Sequence, residues 1–124
     1  MLTSQLVQKV FNKLFGLHPD AEALREALLH SADKEPPRVH LAILKLSEGD
    51  PLKLLQYIEA ARIDYRDVLA WAEYPAQMSS GATYYNTAVE VYEAILEADR
   101  QQYQSWLEGH RDPDMDVGST VENA

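Results

Sequence analysis

Apolar side chains recur every three to four positions along most of this chain, and nowhere does strict alternation run long enough to read as a strand. That period matches a helix burying one face, so the sequence predicts an all-α protein. The breaks in the pattern point to a compact bundle of about six helices with one long C-terminal helix and a disordered acidic tail. In domain terms, residues 1–108 read as a single helical domain and 109–124 as the tail.

Each break has a local cause. The first helix is expected over 4–15, with Leu6, Val7, Val10, Phe11, Leu14 and Phe15 as its apolar stripe and Gly16 at its end. Pro19 suits the first turn of a second helix that fades near His30. Pro36 and Pro37 mark the next start, and the third helix, over 37–47, is so apolar that only Arg38, His40 and Lys45 are left for water. Asp50 and Pro51 then cap and open a fourth helix, which is expected to bury Leu52, Leu55, Ile58 and Ala61. A sharp turn is expected at 63–64, with Asp64 as cap and Ile63 and Val68 spaced as a hydrophobic staple, before a short fifth helix ended by Pro75. Residues 75–81 read as a loop, and one long pattern runs from Ala82 to Glu108, with its acidic positions, Asp99 among them, facing mostly away from the core. Helices three and six are the expected central elements.

Several function classes are disfavoured. The net charge of −9 opposes binding to nucleic acid, which relies on Lys and Arg displacing counterions from phosphates. No apolar run approaches the ~20 residues that cross a bilayer, and the start lacks a basic region followed by an unbroken apolar stretch, so a cytoplasmic, membrane-free protein is expected. Cysteine is absent, which removes thiolate nucleophiles and thiolate zinc sites together. His18, His30, His40 and His110 are not paired at zinc-protease spacing. Asp112, Asp114 and Asp116 alternate like the first half of a calcium loop, but Val117 stands where the loop needs glycine and Asn123 where it needs glutamate. Ser79, Ser80 and Gly81 form no nucleophile elbow. No catalytic residue, metal site or cofactor is therefore expected, and the reading points away from an enzyme. The helix-turn-helix look of residues 60–71 is countered by Asp64, Asp67 and Glu73, which phosphates would repel.

The stretches RVHLAILKLSEGD, from Arg38 to Asp50, and ARIDYRDVLAWAEYP, from Ala61 to Pro75, resemble a block in a family of small uncharacterised bacterial all-helical proteins. The resemblance implies a bacterial cytosolic origin. That family has no established activity, so it implies no mechanism and assigns no functional residue.

Aromatic composition is the remaining signal, with seven Tyr and two Trp against two Phe. Tyr and Trp join an apolar body to a polar tip, which suits interfaces as well as core rims. Arg62, Tyr65, Arg66, Trp71 and Tyr74 form the candidate partner-binding set, because Arg, Trp and Tyr dominate interface hot spots. Asp64, Asp67 and Glu59 stand within reach as plain ion-pair partners for its arginines. Tyr103, Trp106 and Leu107, at the far end of the long helix, form the candidate self-association set; either the first helix or a second copy of the chain would cover them. The sequence thus favours a non-enzymatic protein-interaction or adaptor domain, with a homodimer as one form of that interaction. The alternative is a small-molecule-binding or enzymatic helical domain with an aromatic pocket between helices four, five and six.

Overall fold

The computed structural model describes residues 3–110, and these form six helices with no strand among them. They are α1 (Ser4–Phe15), α2 (Ala21–Leu29), α3 (Pro36–Ser47), α4 (Pro51–Glu73), α5 (Pro75–Ser80) and α6 (Val89–Gly109). The acidic tail and its alternating aspartates lie, from Arg111 onward, outside the described residues.

The α3 helix is the centre of the fold. Val39, Leu41, Ala42, Ile43 and Leu44 are each 0% exposed. Around them pack Val7, Val10, Phe11 and Phe15 of α1, Leu24 and Leu28 of α2, and the inner face of α4. Several starts follow local chemistry as expected. Thr3 Oγ1 accepts from Leu6 N at 3.2 Å, and Asp50 Oδ1 accepts from Leu52 N at 2.9 Å beside Pro51. Gly49 takes the left-handed conformation at φ 77° that closes the tight α3–α4 turn.

Because α3 is covered on nearly every side, His40 does not face water. It is 5% exposed, and its Nε2 has no hydrogen-bond partner. Burial holds the imidazole below its ordinary pKa. The unfolded chain takes up a proton near pH 6.5, whereas the folded chain resists until lower pH, so the stability present above pH 6.5 drains away as pH falls toward the folded value. His110, lowered by burial and by nearby Lys13, contributes with the same sign. Unfolding free energies from urea titrations at about pH 7.5 and 5.5 should therefore differ by on the order of 1 kcal/mol, and His40→Leu should remove much of that difference. An equal drop in the variant would show that His40 is not the sensor.

The expected turn at 63–64 is present as one non-helical residue inside α4, Asp64, at φ −157° and ψ 104°. Asp64 Oδ1 caps the second half by accepting from Arg66 N at 3.0 Å. Ile63 stands 79% exposed while Val68 is fully buried, so the expected staple is not what closes the bend. The buried register of the first half also differs. Leu52 is 77% and Leu55 45% exposed, and Leu54 takes the inner position with Ile58 and Ala61. Leu54, Ile58 and Ala61 form the i, i+4, i+7 stripe that faces α3; the neighbouring leucines are carried outward by the same rotation.

The largest corrections fall after Pro75. The expected loop is a helix, α5, and the long helix begins at Val89 instead of Ala82. Residues 82–88 are diverted by side-chain competition for the backbone: Asn86 Oδ1 accepts from Thr83 N at 2.8 Å, and Asn86 Nδ2 donates to Gly81 O at 3.1 Å. Nor is α6 central. Its buried residues are Tyr92 and Asp99, and Tyr85, expected on the apolar face, is fully exposed.

Asp99 was expected to face mostly away from the core. It is instead 0% exposed, and its carboxylate accepts from Ala76 N at 2.7 Å and Gln77 N at 3.0 Å. These are among the orphan amides of the first turn of α5, so a residue of α6 supplies the cap that α5 lacks locally. Gln77 Nε2 donates to Tyr92 Oη at 3.1 Å, and Gln102 Nε2 to Ala72 O at 3.2 Å. Together these bonds fasten α6 across α4 and α5.

Candidate functional site

The expected partner-binding set does not form one patch. Arg62, Tyr65 and Arg66 line a cleft between the end of α2 and the bend of α4, together with residues 29–34. Trp71 lies farther along α4 in a different groove, and Tyr74, 41% exposed, is the C-cap of α4. Arg66 is held locally by a fork to Asp64, at 3.0 Å from Nε and 2.9 Å from Nη2. That pairing lowers the Asp64 carboxyl and raises the guanidinium. Arg62 reaches Glu59 at 3.4 Å.

The Trp71 groove has a volume of about 680 Å³ and draws on five helices, α5 through Pro75 alone. Tyr57 and Trp71 come from α4, Leu44 and Lys45 from α3, Leu14 from α1, and Gln102 and Trp106 from α6. Tyr57 and Trp71 meet edge to face, with ring centroids 6.2 Å apart. Across the groove Trp106 stacks on Tyr103 at 5.8 Å and touches the His110 ring at 4.7 Å. Trp71 remains 38% exposed.

This places one member of each expected set, Trp71 and Trp106, on the same groove. Trp106 and Leu107 are half-buried against the chain's own core. The first helix reaches this end of α6: Leu14 shares the groove, and Lys13 Nζ donates to Gly109 O at 3.1 Å, a cation at a helix C-terminus.

Periodicity did not reveal the polar groups that accompany these aromatic residues. Lys45 is half-buried, and burial lowers its pKa against the opposing pull of Asp99 and Glu48. Arg38 forms a fork to Glu73, at 2.8 Å from Nε and 2.7 Å from Nη2. The Tyr103 hydroxyl is buried without a partner, and burial pushes its pKa up. One of these residues did carry a signal. Asp99 stands seven residues from both Tyr92 and Trp106, on the inward stripe of α6, where a lone carboxylate needs a buried donor. Lys45 and Tyr57 had no comparable marker.

Among the described residues no three His, Cys, Asp or Glu side chains converge as a metal site, and no helix is long and apolar enough to cross a membrane. Comparison of the chain with family models, with curated proteins and with solved structures finds no match.

Proposed function

We propose that this chain is a non-enzymatic protein-interaction module of the bacterial cytosol, and that it receives apolar side chains of a protein partner in the groove between Trp71 and Trp106. The observation that carries the reading is Trp71 itself, left 38% exposed on a groove of about 680 Å³ whose walls are otherwise held by packed helices. A rigid Trp at the edge of a concave surface offers large apolar area at small entropic cost, and this residue type dominates interface energetics. The shape suits a short helix or extended segment laid between helices, and the net charge of −9 favours a basic one. A second copy of the chain is one such partner, and sedimentation across a concentration series tests that form of the reading.

The test compares proteins captured by the parent chain with those captured by Trp71→Ala. Truncating a hot-spot Trp is expected to weaken the specific complex by about 30-fold or more. The variant should keep its helical circular dichroism, because Trp71 lies outside the buried core. If the same proteins were retained with equal affinity, the groove would not be the docking site.

One observation favours a second reading, a small-molecule pocket. The groove volume falls within the range of ligand sites, and Lys45 stands half-buried at its wall with a lowered pKa. Quenching of Trp fluorescence by a small ligand, lost on Lys45→Met with the fold intact, would favour that reading over a protein partner.

A further inference from the structure

A concave surface on another part of the molecule is chemically unlike the Trp71 groove. Its volume is about 800 Å³, and cationic side chains reach it from two separate segments: Lys34 from the connection after α2, and Arg62 and Arg66 from α4. In a chain of net charge −9 such convergence works against the overall field. The bend at Asp64 adds to it, because the helix restarts there and its amino end, the positive end of the dipole, opens beside the cleft.

Two carboxylates, Asp33 and Asp64, share the lining. Asp64 is occupied by the Arg66 fork and by the Arg66 amide. Lys34 makes no ion pair among the described residues. Among the described residues Arg62 pairs with Glu59, at 3.4 Å, with the two side chains 66% and 65% exposed. An exposed pair of that kind is screened by water and weak, so an incoming anion displaces Glu59 at little cost. Apolar surface lies alongside: Ile63 is 79% and Leu29 42% exposed on the same cleft. A bare ion would leave that surface wet, whereas an organic anion would cover it.

We propose that the cleft between the end of α2 and the bend of α4 binds a small organic anion, with its phosphate or carboxylate between Arg62 and Lys34 and its apolar body against Ile63 and Leu29. This site is separate from the Trp71 groove and stands or falls independently of it.

The probes are phenyl phosphate and inorganic phosphate, titrated at low salt into the isotopically labelled full chain and followed by amide chemical shifts. Saturable shifts confined to residues 29–34 and 61–66 are expected. Phenyl phosphate should bind about tenfold more tightly than inorganic phosphate, and the Lys34→Ala/Arg62→Ala double variant should weaken it by about tenfold or more with an unchanged circular dichroism spectrum. Shifts scattered over the surface, equal affinity for the two anions, or undiminished binding by the double variant would each overturn the proposal.

Discussion

Phe11→Ala is expected to cost about 3–5 kcal/mol of folding stability, among the largest losses available to a single substitution in this chain. Phe11 is 1% exposed, and its ring lies 5.5 Å from that of Phe15. The Arg25 guanidinium sits over the Phe11 ring, 5.1 Å from the centroid, and reaches on to Asn12 Oδ1 at 3.1 Å and Glu22 Oε2 at 2.9 Å. One side chain thus joins α1 to the core and to α2. Truncation leaves a cavity that two rigid helices cannot close, so the loss combines the transfer term with unfilled space. Phe11→Leu keeps most of the volume and should cost about 1–1.5 kcal/mol. A domain of this size has roughly 5–15 kcal/mol in total, so Phe11→Ala should lower the melting temperature by roughly 10–20 °C. Urea denaturation of the two variants checks this, and a Phe11→Ala loss no larger than that of Phe11→Leu would show that the site relaxes freely.

Asp99→Ala should cost about 2–4 kcal/mol, by a different mechanism. The carboxylate is fully buried and binds two backbone amides of α5. Removing it leaves both amides without an acceptor where water does not reach, and it deprives half-buried Lys45 of a nearby opposite charge. The apolar replacement Asp99→Leu separates this from a generic effect of burying charge. Where a buried charge is only a liability, an apolar residue of similar size is neutral or stabilising. Here Asp99→Leu should still destabilise, because the amides stay unpaired. Amide exchange should quicken first at Ala76 and Gln77, ahead of the α3 core. Asp99→Leu matching the parent chain in both stability and exchange would remove the carboxylate from its capping role.

Both predictions mark where sequence reasoning holds and where it stops. The stripe of α1 that contains Phe11 was legible, since every member lies within a dozen residues and follows one period. The cap on α5 was not. Its donor and acceptor stand 23 and 22 residues apart, and Pro-Ala-Gln-Met-Ser-Ser alone reads as a loop because six residues cannot repay helix nucleation unaided. The candidate site was half legible in the same sense. Trp71 and Trp106 were each picked out by residue type, but they were assigned to different surfaces, and only the crossing of α4 and α6 sets them on one groove.

What the sequence determined by itself was the class of fold, the starts at Asp50 and Pro51, and the bend at Asp64. These depend on dihedral preference and on hydrogen bonds that span a few residues, and such terms act the same way wherever the segment lies. The tertiary structure decided that Leu54 turns inward instead of Leu52, that α5 is a helix, and that α3 is central while α6 rides on the outside. Those outcomes hang on contacts between distant segments, whose energies exist only once the chain has closed on itself.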